Sequence, residues 1–200
     1  MNKLLSIKNL SKVYYKGKAE TEAIKDISFD IEEGEFVSIV GPSGCGKSTL
    51  LNILTNMDTL TKGNINLKEN LKLGYMLQSD SMLEWLTVLD NALLGLDIKK
   101  IKTEENKNYV KSLFEKYGLA EFMDKYPSEL SGGMRQRVAL IRTLALKPDI
   151  LILDEPFSKL DYQSRLKVSD DVYKIIKNEG KTALMVTHDL AEAISISDRV

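Results

Sequence analysis

Residues 41–49 form a glycine-rich segment that ends in a lysine and two hydroxyl residues. The segment has the pattern G-x-x-x-x-G-K-[ST] and lies between an apolar β-branched run and apolar residues at helical spacing. Glycine backbone can fold into a concave nest whose N–H groups point at an anion, and a helix start adds to that field. Lys47 supplies a charge for terminal phosphates, and the Ser48 hydroxyl suits Mg²⁺. The segment therefore predicts a nucleoside triphosphate site formed by Gly41, Pro42, Ser43, Gly44, Cys45, Gly46, Lys47, Ser48 and Thr49.

Two carboxylates, Asp154 and Glu155, come at the end of a second continuous apolar run. In P-loop proteins an acidic residue at such a strand end holds Mg²⁺, and a second carboxylate beside it can polarise a water for attack on the γ-phosphate. His188, the only histidine, follows a third apolar run. Because ligands bind at the carboxyl ends of parallel strands, one pocket can hold Gly41, Asp154 and His188.

A second candidate anion site begins at Ser131 and continues through Gly132 and Gly133. Ser131 is a good helix N-cap, and the paired glycines leave the first N–H groups of that helix uncovered. If residues 41–49 hold one nucleotide, a second site of this kind indicates recognition of phosphate from another direction.

The elements that must position these residues are buried strands alternating with amphipathic helices. This order predicts an α/β fold with a mainly parallel, helix-covered sheet. Alternating runs at residues 4–10 and 23–31 predict a smaller antiparallel β-subdomain, with a loop at 11–18 that carries two aromatic residues. Residues 78–130 read as a helical insert, in which 99–107 form an exposed connection.

The composition narrows the class of protein. Hydrophobic residues make up 43% and charged residues 28% of the 200 residues, which is ordinary for a globular domain. The net charge of −1 and the absence of a basic block argue against a nucleic-acid partner. Cys45 is the only cysteine, and the N-terminus has no apolar signal region, so we expect a cytoplasmic protein without disulfides.

Taken in order, these motifs resemble those of the nucleotide-binding subunit of an ATP-binding cassette transporter, over nearly the whole chain. Tyr14 stands where that family places an aromatic that stacks on adenine, although Tyr15 is adjacent and either can do so. The other matching segments are the Walker A loop (41–49), the Q-loop glutamine (Gln78), the signature (130–136), the Walker B strand (150–155), the D-loop (158–161) and the switch histidine (His188).

The resemblance implies a P-loop NTPase fold in a single domain, 1–200, with the signature in a helical subdomain at about 78–135. It also implies that the family's C-terminal end is missing from this sequence, because family members continue past Val200. Residues 55–58 replace the small residues usual after the P-loop helix.

The resemblance also implies a mechanism in which two copies pair head to tail and trap two ATP molecules. Ser48, Gln78 and Asp154 would organise Mg²⁺. Glu155, His188 and Gln78 would serve catalysis: Glu155 would polarise the attacking water, and His188 would bind the γ-phosphate and orient the site. Ser131, Gly132 and Gly133 would reach the nucleotide of the other copy. Integral membrane permease subunits and a periplasmic or lipid-anchored substrate-binding protein would complete the complex at the cytoplasmic face of the membrane.

Residues 83–91 resemble the corresponding stretch of importers for nitrate, sulfonates and taurine, which commonly have proline where this chain has Glu84. Within this stretch Trp85 can belong either to the core or to the surface that meets the permease. An exporter ATPase and a soluble, non-transport cassette ATPase are the alternatives to an importer subunit. Glu155 and His188 argue against a nucleotide-binding protein without turnover.

Overall fold

The computed structural model describes residues 2–17 and 19–200. Within them, seven strands form two sheets, and six α-helices and two short 3₁₀ turns complete the fold. The strands are β1 (Lys3–Lys16), β2 (Ala19–Glu32), β3 (Phe36–Val40), β4 (Lys62–Leu67), β5 (Leu73–Met76), β6 (Ile150–Asp154) and β7 (Thr182–Thr187). The helices are α1 (Lys47–Leu54), α2 (Val88–Ile98), α3 (Glu104–Lys116), α4 (Gly132–Leu144), α5 (Tyr162–Asn178) and α6 (Leu190–Ile196), and the 3₁₀ turns are Ala120–Phe122 and Pro127–Glu129.

Four parallel strands form the central sheet in the order β3-β7-β6-β5. Successive side chains of a strand point to opposite faces. On β6, Leu151 and Leu153 pack in the cluster that contains α2 to α5, whereas Ile150 and Ile152 pack in the cluster that contains α1 and the second sheet. Both faces of the strand are therefore covered, which explains its continuous apolar sequence and confirms the predicted parallel, helix-covered sheet.

The second sheet is antiparallel, in the order β2-β1-β4, and confirms the predicted β-subdomain. The predicted loop at 11–18 is wrong, because β1 continues to Lys16, which pairs with Ala19 of β2; Lys18 itself lies outside the described residues. The β1–β2 ladder shifts register between Ile7 and Leu10 and again on either side of Lys12. These irregularities break the two-residue alternation on which the sequence prediction depended.

Helices α2, α3 and α4 lie between β5 and β6 along the chain and pack on one face of the central sheet. The exposed connection predicted at 99–107 is too long, because α3 begins at Glu104. Its N-cap, Thr103, accepts a hydrogen bond from the backbone N–H of Asn106. None of the helices in residues 2–17 and 19–200 is long and apolar enough to cross a membrane.

Candidate active site

The carboxyl ends of the four parallel strands bring the predicted catalytic segments together. In sheet order, β3 leads into the P-loop, β7 into His188, β6 ends at Asp154, and β5 is followed by Gln78. The P-loop, Gln78 and the end of β6 border a cleft of about 330 Å³, whereas His188 does not line it. The residues that line it are Ala23, Ser43, Gly44, Gly46, Lys47, Ser48, Thr49, Gln78, Asp154 and Glu155.

Lys47 begins α1 and is almost fully buried, with 7% of its surface exposed. Its Nζ donates to the carbonyl oxygens of Gly41 at 2.7 Å and Pro42 at 3.0 Å, and lies 3.5 Å from Glu155 Oε1. The loop therefore wraps around its own lysine, and the ammonium group stays inside the cleft. This arrangement provides a desolvated positive charge where the sequence pattern predicts phosphate.

Gly46 allows the P-loop to lie against β2. Its φ is +100°, in the left-handed region, and a Cβ at this position would overlap the carbonyl oxygen of Ala23 on β2. The backbone of the loop can lie this close to β2 only because residue 46 has no side chain.

The carboxylate of Glu155 lines the cleft and is contacted by several of the predicted site residues. Gln78 Nε2 donates to Glu155 Oε2 at 3.2 Å, and His188 Nδ1 lies 3.2 Å from the same oxygen. Glu155 also has a φ of +43°, and its backbone N–H donates to Val186 O at 2.9 Å. A left-handed conformation is uncommon for a residue with a side chain and is concentrated at functional sites. Three predicted site residues, Lys47, Gln78 and His188, thus converge on one carboxylate.

Asp154 lies beside Glu155 at the end of β6. Burial raises the pKa of its carboxyl group above the ordinary value, opposed by a hydrogen bond from the Tyr75 hydroxyl at 2.9 Å and supported by the nearby charge of Glu155. Burial and the bond to Asp154 in turn raise the pKa of Tyr75. The sequence analysis missed Tyr75; the only signal is a lone hydroxyl in an apolar strand that precedes Gln78.

Ser48, Gln78 and Asp154 offer hydroxyl, amide and carboxylate oxygens to the same cleft. These are hard donors of the kind that Mg²⁺ prefers. Within residues 2–17 and 19–200 no three His, Cys, Asp or Glu side chains cluster closely enough to hold a metal by themselves. The donor set therefore fits an ion that keeps water and substrate phosphate as its other ligands.

Ser131, Gly132 and Gly133 lie outside the cleft, at the start of α4. Ser131 is the N-cap and its Oγ accepts from the backbone N–H of Met134 at 3.4 Å, as predicted. Gly133 has a packing role that the sequence analysis missed, because a Cβ there would lie 2.6 Å from Val168 Cγ2 of α5. Ser131 and Gly132 are exposed to solvent.

Tyr14 and Tyr15 lie near the end of β1, and neither lines the cleft. Tyr14 is 40% exposed and its hydroxyl donates to Asp58 Oδ2 at 2.5 Å, whereas Tyr15 is 66% exposed. Tyr14 pairs with Thr21 of β2, two residues before Ala23, which does line the cleft.

The segment after Gln78 is tied to α4 by an ion-pair cluster that the sequence analysis also missed. Arg135 donates to both carboxylate oxygens of Asp80, at 2.9 and 3.1 Å, and to Glu84 Oε1 at 2.7 Å. Trp85, next in the chain, is 73% exposed, so the core alternative for this side chain is wrong. Glu84, which replaces the proline common in the resembling importers, has an ionic partner here.

The family model described as ABC transporter matches residues 24–158. An uncharacterized ABC transporter ATP-binding protein of Bacillus subtilis, YtlC, is 45% identical and aligns over 98% of this chain and 78% of its own length. The nitrate transport protein NasD of Klebsiella oxytoca is 38% identical, over 100% of this chain and 80% of NasD. The taurine import ATP-binding protein TauB of Ruegeria pomeroyi is also 38% identical, over 98% and 76%.

Among solved structures, the ATP-binding cassette MJ0796, in a dimeric post-hydrolysis state bound to ADP and Pi, superposes with a TM-score of 0.76. It is 34% identical and the match covers 95% of this chain and 90% of MJ0796. Sequence, fold and site agree: this chain belongs to the ABC transporter family, as one of its ATP-binding and ATP-hydrolysing cassettes.

Proposed function

We propose that this chain is the ATPase subunit of an importer and drives uptake of a small molecule of the nitrate, sulfonate or taurine class through a membrane permease. The observation that carries ATP hydrolysis is the convergence of Lys47, Gln78 and His188 on the Glu155 carboxylate. The importer class is supported by the identity with NasD and TauB and by the sequence of residues 83–91. In this proposal residues 1–200 form one ATPase domain, with a helical subdomain at about 78–135.

The proposed roles of the site residues follow from their chemistry. The backbone N–H groups of 41–49 and the Lys47 ammonium hold the β- and γ-phosphates. A Mg²⁺ ion held by Ser48, Gln78 and Asp154 would neutralise charge on the same phosphates. Glu155 accepts a proton from the attacking water, and His188 and Gln78, each hydrogen-bonded to Glu155, orient that carboxylate.

The second half of each site comes from another copy of the chain. Ser131, Gly132 and Gly133 do not line the cleft of their own chain, and the exposed start of α4 can receive an anion from outside. The dimeric state of MJ0796 supports a homodimer, and in this proposal the two copies pair head to tail with ATP at the interface. The complex would include permease subunits and a periplasmic or lipid-anchored substrate-binding protein, with this chain at the cytoplasmic face of the membrane.

The substitution Glu155→Gln tests the proposed chemistry. Glutamine keeps the size of the side chain and an acceptor oxygen but cannot take a proton from water. We expect ATP hydrolysis to fall by on the order of 10²–10⁴-fold. ATP binding should persist, and an ATP-dependent dimer should accumulate in size-exclusion chromatography with Mg²⁺ present.

Glu121→Gln is the matched control, because Glu121 is an exposed carboxylate in a 3₁₀ turn, outside the cleft. It should hydrolyse ATP at the rate of the unaltered chain. Near-normal turnover by Glu155→Gln would remove Glu155 from the role of general base, and an unaltered chain that does not bind ATP would refute the proposed function as a whole.

A further inference from the structure

Tyr14 is held by a small polar cluster that links the β-subdomain to the loop after α1. Its hydroxyl donates to Asp58 Oδ2 at 2.5 Å, and the Lys12 ammonium donates to Asp58 Oδ1 at 2.6 Å. Lys12 Nζ also lies 4.7 Å from the centroid of the Tyr14 ring, within the range of a cation–π contact. Asp58 therefore uses one carboxylate oxygen for each of two residues that lie two apart on β1.

The side chains of this cluster are held in place by burial and by several hydrogen bonds. Lys12 is 7% exposed, and its Nζ has a third partner in the carbonyl oxygen of Thr59 at 2.5 Å. The hydrogen bonds from Lys12 and Tyr14 hold the pKa of Asp58 at about 2, so the carboxylate is charged at any physiological pH. A buried cation that is bonded to a carboxylate and a carbonyl has little rotational freedom, and it covers one side of the Tyr14 ring.

The neighbouring Tyr15 has no such support. Adjacent residues of a strand point to opposite faces, so Tyr15 points away from Lys12 and Asp58, and it is 66% exposed. An unanchored tyrosine loses side-chain entropy when it stacks on a ligand, whereas a ring that is already fixed does not. Of the two tyrosines that the sequence leaves open, the structure favours Tyr14 for a stacking role.

The cluster also lies next to elements that form the phosphate cleft. Asp58 follows α1, the helix that begins at Lys47, and Tyr14 pairs with Thr21, two residues from Ala23 in the wall of the cleft. Two residues of a strand span roughly 7 Å. A base stacked on Tyr14 of β1 would thus lie beside β2, which contributes Ala23 to the wall of the cleft, and the loop that holds the Tyr14 ring follows the helix that begins at Lys47.

We propose that Lys12 and Asp58 are positioning residues for the nucleobase: together they fix the Tyr14 ring so that its uncovered side receives the purine of the bound nucleotide. This inference rests on the proposed function, because it takes ATP as the ligand of the cleft. It adds two residues, Lys12 and Asp58, that act through Tyr14 and touch neither the phosphates nor the catalytic carboxylates.

The test compares a ligand that has a base with one that lacks it. Dissociation constants for ATP and for inorganic tripolyphosphate are measured by calorimetry on the full chain. Tyr14→Phe removes the tether and keeps the ring, and Asp58→Ala removes the carboxylate shared by Lys12 and Tyr14. Each should raise the Kd of ATP about 3- to 10-fold, the effect of one lost hydrogen bond, and leave the Kd of tripolyphosphate unchanged.

A double-mutant cycle makes the test sharper. Tyr14→Ala removes the stacking surface and should raise the Kd of ATP by about 5- to 100-fold. The double variant Tyr14→Ala with Asp58→Ala should have the same Kd for ATP as Tyr14→Ala alone, since Asp58 acts only through the Tyr14 ring. Tyr15→Ala is the matched control and should leave both dissociation constants unchanged. If Asp58→Ala does not fold, Tyr14→Phe and Lys12→Met carry the test, because Lys12→Met keeps most of the buried side chain.

Three results would overturn the inference. Asp58→Ala could weaken the binding of ATP and of tripolyphosphate equally, or the effects of Tyr14→Ala and Asp58→Ala on ATP binding could be additive. In the third result, Tyr15→Ala weakens ATP binding and Tyr14→Ala does not. An unaltered chain that binds neither ligand would refute the proposed function and the inference with it. An unaltered chain that binds both, with Tyr14 variants that bind ATP normally, would refute the inference alone.

Discussion

The close approach of the P-loop to β2 predicts that Gly46→Ala damages both stability and nucleotide binding. A side chain in the left-handed region costs about 1–2 kcal/mol. The new Cβ must also be separated from the Ala23 carbonyl oxygen, and forcing an extra carbon into a packed position costs about 1–3 kcal/mol. We therefore expect the free energy of unfolding to fall by about 3 kcal/mol, measured by urea denaturation with an unchanged m-value.

The same substitution should weaken ATP binding, because the strain is relieved by moving the loop away from β2 and out of its nest. A rise in the Kd of ATP of about tenfold corresponds to about 1.4 kcal/mol, less than half of the expected strain. Calorimetric titration with ATP measures it directly.

Gly34→Ala is the control for the backbone strain alone. Gly34 lies between β2 and β3 with a φ of +80°, and a Cβ there would have nothing within 4 Å. This variant should lose only about 1–2 kcal/mol and bind ATP normally. Equal losses of stability in the two variants, with equal ATP affinity, would refute the claim that the Ala23 carbonyl sets the position of the loop.

Two further substitutions test the start of α4 and the Asp58 cluster. Ser131→Arg should leave ATP binding by the isolated chain intact and abolish hydrolysis and the ATP-dependent dimer; loss of binding by the monomer would contradict the role across the dimer. The pKa of Asp58 is about 2 in the folded chain, against an ordinary 3.8. The contribution of Asp58 to the free energy of unfolding should therefore be fully present at pH values above its pKa in the unfolded chain, and should be lost as the pH falls through about 2. Urea denaturation should therefore give the unaltered chain a higher free energy of unfolding than Asp58→Asn. The difference should be constant near neutral pH and should shrink between about pH 4 and 2. A difference that stays constant down to pH 2 would contradict this prediction.

The buried strands and the residues that follow them could be predicted from the sequence, because a strand covered on both faces needs a continuous apolar run. β6 and β7 are the clearest cases, and each leads directly to a site residue, Asp154 or His188. Ser131 could be predicted as an N-cap for a similarly local reason, since the cap bonds within its own first turn.

The bounds of β1 and α3 were harder to predict from the sequence. The full length of β1 was missed because bulges break its alternation and because Lys12, a charged residue, is buried by its partner Asp58. The start of α3 was missed because its first turn has no apolar residue, although Thr103 followed by Glu104 and Glu105 is a recognisable helix start.

The sequence predicted that the ends of these strands share one pocket, but not the individual contacts of Glu155, because those depend on strand order. Lys47, Gln78 and His188 follow three different strands, and only the order β3-β7-β6-β5 places them around one carboxylate. A group shared by several partners also has no separable contributions, since removing one partner changes the charge and hydrogen bonding that the others meet. Losses of activity measured singly at Lys47, Gln78 and His188 should therefore not sum to the loss at Glu155, and their coupling energies, rather than their separate effects, report how the site works.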